Sequence, residues 1–194
     1  MADTRIILQE QLALFHPLDE EALEALCRPW EEVSYGRKQL LTRIGETERY
    51  LYLVLEGVQR AYYTHNDKDA TLVFSYAPSF SGVVDSFLLQ QPSAYQLETI
   101  TRSRLLRMHY HDLADLMEQH RSIETWVRVA VTRVLAGTLQ RQVELMAFSA
   151  EEKFTTLLQR SPQILNLIPH KYLASYIDVD PATFSKMLAR VKLF

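Results

Sequence analysis

Between Trp30 and His109 the chain switches every few residues between β-prone runs and turn residues, and this rhythm limits its possible folds most tightly. Glu31 to Gly36 suggests a strand running into a turn, and Gln39 to Ile44 a second strand. Arg49 to Leu55 (RYLYLVL) is a strong strand signal ended by Glu56-Gly57. Val58 to Thr64 alternates, and Asn66-Asp67-Lys68-Asp69 supplies a hairpin turn before Ala70 to Tyr76. Ser79 to Gln91 is less regular, and Tyr95 to Ile100 and Ser103 to His109 return to strand. Many short strands joined by turns predict an antiparallel sandwich or barrel. No internal repeat or low-complexity segment interrupts the pattern.

Helical spacing frames this β-rich core. Thr4 to about Cys27 reads as helix broken by a turn at His16-Pro17-Leu18-Asp19. After His111, Asp112 reads as an N-cap, and a long helix is predicted over Ser122 to Phe148. Ile123, Val127, Val131, Leu135, Leu139, Val143 and Met146 make one continuous apolar stripe along it. A helix of about 26 residues spans roughly 40 Å, longer than a small domain needs. The first six stripe residues are therefore expected to form a dimer seam; packing against the chain's own β domain is the alternative, and opposite flanks allow both. Ser149-Ala150-Glu151-Glu152 is a capping box that starts a new helix, with Phe154, Leu157 and Leu158 inward. The expected domains are residues 1–120, the linking helix 121–148, and 149–194.

The stretch Ile168 to Val191 (IPHKYLASYIDVDPATFSKMLARV) divides into a short helix, three turn residues and a second helix from Pro181. Pro181 suits the first helical position, and Asp180 before it is a good N-cap. Leu173, Ala174 and Ile177 form one inner face and Phe184, Leu188 and Val191 the other, with Val179 at the corner. Thr183, Ser185, Lys186 and Arg190 cover the outer face of the second helix. Two short helices with a polar outer second member make the helix-turn-helix pattern; a plain helical hairpin is the alternative.

Composition narrows the setting. No run of about eighteen apolar residues predicts a membrane span, and the N-terminus lacks a signal-peptide pattern. The single cysteine, Cys27, excludes an internal disulfide framework and a one-chain thiolate cluster, and reads as a buried structural thiol. A cytoplasmic protein with no cofactor and no metal is expected. Net charge is −3. From Ala150 onward, however, six Lys and Arg face four Asp and Glu, so a basic module is carried by an acidic body. An enzyme is not expected. His109-Tyr110-His111 offers the His-x-His of a cupin-type metal site, but Asp112 and a helix follow, leaving Glu118 and His120 on helical geometry.

Helix, β-roll, long helix and terminal helix-turn-helix, in that order, resemble the cyclic-AMP receptor protein/FNR family of bacterial transcription regulators over nearly the whole chain. Leu51 to Gly57 looks like the family's strand-and-glycine turn, Phe80-Ser81-Gly82 through Phe87 occupies the place of its phosphate-binding cassette, and Ile168 to Val191 aligns with its helix-turn-helix. The resemblance implies an α+β fold: an antiparallel β-roll of the cyclic-nucleotide-binding jelly-roll type with flanking helices, a long dimerisation helix and a C-terminal helix-turn-helix domain. It implies a homodimer, a palindromic double-stranded DNA operator, RNA polymerase as a candidate partner, and an effector pocket at Phe80, Gly82, Val83, Asp85, Ser86, Ser93 and Thr138.

The departures bear on mechanism. The cassette's ribose-binding glutamate is Val83 here, its phosphate-binding arginine falls at Pro92, and the residue after Thr138 is Leu139 instead of serine. Without a bidentate cation a phosphate loses its strongest partner, so cyclic-AMP dependence is not expected and an effector, if any, is of unknown kind. In the second DNA-binding helix, Pro181 and Ala182 stand where the family has its arginine and glutamate base readers. Thr183 matches a phosphate-contacting threonine, and Lys186 replaces an arginine that reads guanine. Ser185 is a further base contact, and His170, Lys171 and Arg190 are expected phosphate contacts. Asp178 takes the usual glycine position in the turn, and no β-wing is expected after Arg190. The rival function is a β-roll small-molecule-binding module whose C-terminal domain mediates protein interaction.

Overall fold

In the computed structural model the described residues are 2–190, and the chain forms two compact units. Residues 1–61 and 74–135 make the first; residues 62–73 and 136–194 make the second. Val191, assigned to an inner helical face on sequence, lies outside the described residues.

The chain begins with α1 (Ala2–Ala13) and α2 (Glu20–Cys27), then β1 (Glu31–Tyr35), β2 (Leu40–Thr42), β3 (Tyr50–Glu56), β4 (Val58–His65) and β5 (Lys68–Tyr76). The irregular stretch that follows resolves into β6 (Ser79–Ser81) and α3 (Val84–Leu89). Next come β7 (Gln96–Thr99), β8 (Ser103–His109), α4 (Tyr110–Gln119) and the 27-residue α5 (Arg121–Ala147). The chain closes with α6 (Ala150–Arg160), a short α7 (Ile164–Leu167) that no sequence pattern signalled, α8 (His170–Tyr176) and α9 (Pro181–Arg190).

The strands form two four-stranded sheets, ordered β1-β8-β3-β6 and β2-β7-β4-β5, with β8 antiparallel to both β1 and β3. Side chains on a strand alternate between faces, and β3 buries both. Leu53 and Leu55, with Leu106 and Met108 of β8, pack toward the helices; Tyr52, Val54 and Leu105 turn into the roll with Ala61 and Leu97. At the β3–β4 turn Gly57 has φ +89, and a Cβ there would collide with the Arg102 carbonyl, so only glycine fits. Asn66 and Asp67 both take positive φ, which makes a tight two-residue hairpin and starts β5 at Lys68, two residues before the expected strand.

Two helix starts differ from the sequence expectation or sharpen it. His109, not Asp112, caps α4: its imidazole accepts the His111 N–H at 3.3 Å, and Asp112 lies in the first turn. At α6 the Ser149–Glu152 capping box forms as expected, each residue accepting the other's backbone N–H.

The first half of α5 is bound into its own unit. Ile123 is fully buried among Leu8, Leu12, Leu26 and Leu113, so its assignment to a dimer seam is corrected: it is a core residue of the protomer. Trp126 lies edge-on to Phe15 and Phe80 at 5.3 and 5.7 Å, and its indole N–H donates to the Leu12 carbonyl at 2.7 Å. Val127 packs partly against the same cluster. Cys27 is half-buried there, and burial pushes its thiol pKa up.

Candidate effector site and nucleic-acid interface

The cassette region is laced together by its own polar groups. Gly82 takes φ +142 and is followed by Val83, which precedes α3 and whose side chain is buried in the roll. Ser86 is buried; its hydroxyl donates to the Gln91 carbonyl at 2.6 Å and accepts the Glu48 N–H at 2.9 Å. Ser93 is buried too, its hydroxyl donating to the Tyr95 carbonyl and accepting the Tyr95 N–H. Asp85 is exposed. Phe80, expected in the pocket, faces the helices instead, against Phe15, Trp30 and Trp126. Thr138 belongs to the other unit, where it is exposed.

The residue that organises this region escaped the sequence: Glu48, 2% exposed. Its carboxylate accepts from the Thr42 hydroxyl at 2.5 Å, from the Tyr50 N–H at 3.2 Å and, more weakly, from the Val83 N–H at 3.4 Å. Its backbone carbonyl accepts from the Gln90 side-chain amide at 3.3 Å. Burial pushes its pKa above the usual carboxylate value, opposed by the Thr42 hydroxyl and the surrounding N–H groups. The chain's own carboxylate thus receives an N–H of the segment that resembles a phosphate cassette. Beside it, the Tyr52 phenol is pushed far above its ordinary pKa by burial, then by Glu48 and Tyr35, so it stays protonated. Arg107, the cross-strand partner of Tyr52, lies over the Tyr50 ring at 4.4 Å and is committed to Glu31 at 2.7 Å.

The second unit contains α8 and α9 joined by a tight corner. Asp178 adopts φ +53, its N–H donates to the Ser175 carbonyl and the Val179 N–H to the Ala174 carbonyl, a Schellman closure of α8. Asp180 then caps α9, accepting the Ala182 and Thr183 N–H groups, each at 2.9 Å. The Thr183 hydroxyl and N–H hold the Asp180 carboxyl below its ordinary pKa. Leu173, Ile177 and Phe184 are fully buried, with Phe154 edge-on to Phe184 at 5.2 Å. Met187 is buried more deeply than Leu188, which shifts the inner face of α9 by one residue from the expectation.

On the outer face, the Thr183 hydroxyl donates to Asp180 at 2.5 Å and the Ser185 hydroxyl to the Pro181 carbonyl at 2.9 Å. Both hydrogens are committed in this arrangement, leaving oxygen lone pairs outward. Lys186 is exposed. Arg190 pairs with Glu151 at 2.9 Å, both side chains more than 70% exposed, so the pair is readily exchanged for another anion. At the start of α8, exposed His170 rests on the Phe184 ring at 5.6 Å and exposed Lys171 over Tyr172 at 4.7 Å. Further along α5, Leu135, Leu139, Val143 and Met146 remain between 52% and 79% exposed, while Val131 is half-buried.

Among the described residues no group of three His, Cys, Asp or Glu is placed to hold a metal, and no helix is long and apolar enough to cross a membrane. His109 and His111 lie ring to ring at 5.1 Å, the first occupied as a helix cap.

Residues 32–120 match the family model of the cyclic nucleotide-binding domain. No curated protein sequence matches the chain. Among solved structures, FixK2 from Bradyrhizobium japonicum superposes with a TM-score of 0.76 at 15% identity, covering 83% of each chain. The c-di-GMP-responsive global regulator CLP of Xanthomonas campestris gives 0.67 at 16% identity, over 89% of this chain and 91% of its own. The catabolite activator protein of Thermus thermophilus gives 0.58 at 21% identity, over 91% and 84%. Residues 32–120 thus match the cyclic nucleotide-binding domain model, and the chain shares the α+β fold of these structures, the antiparallel roll with C-terminal helices expected from its sequence.

Proposed function

We propose that the protein is a homodimeric, DNA-binding transcription regulator that works without cyclic AMP. The observation that carries this is the α8–α9 pair: a buried hydrophobic corner presenting a capped, solvent-facing second helix with Lys186 exposed and Arg190 in a loose ion pair. On this reading α9 enters the major groove with Thr183, Ser185 and Lys186 nearest the bases, and His170, Lys171 and Arg190 hold phosphates. Leu135, Leu139 and Val143, with Val131 and Val127 toward the core, form the seam with a second copy. Independence from cyclic AMP is supported by Val83 and Pro92 in the cassette and by the Glu48 carboxylate beside the Val83 N–H, which disfavours a phosphate there. The domains act as a sensor or structural roll (1–120), a linking helix (121–148) and a DNA module (149–194), in the cytoplasm, with RNA polymerase as a further partner.

Selection of genomic DNA fragments by the purified protein tests this. Enrichment of fragments sharing a palindromic site is expected; no enrichment over non-specific DNA would contradict it. The committed Thr183 and Ser185 hydroxyls favour one second reading, in which the C-terminal unit binds protein and the roll a small molecule. That reading predicts no salt-sensitive DNA binding at all.

A further inference from the structure

We infer that the β4–β5 hairpin is a latch that positions α9, with Ser175 as its catch. The importance given to α9 rests on the proposed function; the latch itself does not. Ser175, on the last turn of α8, donates its hydroxyl hydrogen to the Asp69 carbonyl at 2.6 Å and accepts the Thr71 N–H at 3.0 Å. The Thr71 hydroxyl stands 3.2 Å away. One serine thus engages two backbone groups of β5, and the Thr64 hydroxyl fastens the Asp69 side chain from the opposite strand at 2.9 Å. These contacts all lie within the second compact unit, which contains residues 62–73 together with the C-terminal helices.

The same end of α8 is gripped from its other side. Arg141 donates to the Tyr176 carbonyl, lies over the Tyr176 ring at 3.9 Å, and pairs with Glu144 at 3.4 Å. Glu144 is buried and also pairs with Arg160. Ser175 and Tyr176 are therefore fixed between the hairpin and helices α5 and α6. The Schellman turn at Asp178 and the cap at Asp180 follow directly, so little slack separates Ser175 from the first turn of α9. Strands β4 and β5 also belong to the sheet β2-β7-β4-β5, so the hairpin is a covalent continuation of the roll. Within the second unit, Ser175 is the positioning residue between the hairpin and α9.

Hydrogen exchange on the full chain without DNA tests the latch, comparing wild type with Ser175→Ala and Ser175→Thr. In Ser175→Ala the Thr71 amide should exchange about tenfold faster, as expected for one lost hydrogen bond. Residues 177–190 should also exchange faster, and Ser175→Thr, which keeps the hydroxyl, should restore both. Unchanged exchange at Thr71, or a change confined to the hairpin, would overturn the proposal. DNA binding is a separate arm. If wild type binds DNA, Ser175→Ala should bind with lower affinity; identical affinity and salt dependence would overturn the positioning role. If wild type binds no DNA, the proposed function fails, while the exchange result still decides the latch.

Discussion

The two halves of α5 carry one apolar repeat and meet different fates. Ile123 and Trp126 are sealed into the first unit, whereas Leu135, Leu139 and Val143 remain open on the same helix. The only large charged group buried on α5, Glu144, lies in the second half, held by two arginines. Helical periodicity therefore specifies which face is apolar and not what covers it. The cover of the first half comes from aromatic residues distant in sequence, Phe15 and Phe80, which no spacing rule connects to Trp126.

The sharpest break of this contrast is Trp126→Ala. It removes a buried ring and an indole hydrogen bond, and should cost about 3–5 kcal/mol in denaturant unfolding. Leu139→Asp, on the open half, should leave protomer stability within about 0.5 kcal/mol. It should nevertheless weaken dimerisation at least about thirtyfold in sedimentation, as expected when a seam residue worth over about 2 kcal/mol is charged. A dimer that survives Leu139→Asp would remove the seam assigned to the second half.

Glu48→Gln probes the buried carboxylate of the first unit. Its native pKa is raised, so between the ordinary glutamate value and the raised one the folded state holds the proton more tightly than the unfolded chain. The stability this contributes is present at low pH and is lost as pH rises through the folded value. Relative to Glu48→Gln, wild type should lose stability with rising pH in that window, by at most about 1.4 kcal/mol per pH unit. A flat difference in pH-dependent thermal unfolding would show that Glu48 is not buried as described. The smallest effect concerns Asp178, a non-glycine residue at φ +53. Asp178→Gly should raise unfolding stability by up to about 1 kcal/mol by relieving that strain.

Much of this architecture was legible because it repeats. The β-prone run Arg49–Leu55 and the alternation in Val58–Thr64 locate β3 and β4, and the Ser149–Glu152 box locates the start of α6. Single residues with long-range partners were not legible. Glu48 lies in a non-repeating loop and acquires meaning only from Thr42 and Val83. Ser175 reads as an ordinary helical serine until the hairpin is placed against it. The resemblance puts Phe80 in the pocket, whereas the pleat of β6 turns it toward Trp126. On α9 helical spacing separates a polar face from an apolar one, but the commitment of the Thr183 and Ser185 hydroxyls to Asp180 and Pro181 depends on geometry.

The central claim is that α9 with its flanking cations binds duplex DNA. The most direct measurement is the affinity for a selected fragment as a function of salt, for wild type and for Lys186→Ala with Arg190→Ala. Binding should weaken steeply with salt, and each phosphate contact removed should make the slope shallower by about 0.9. Binding that is insensitive to salt, or unchanged by the paired substitution, would contradict it.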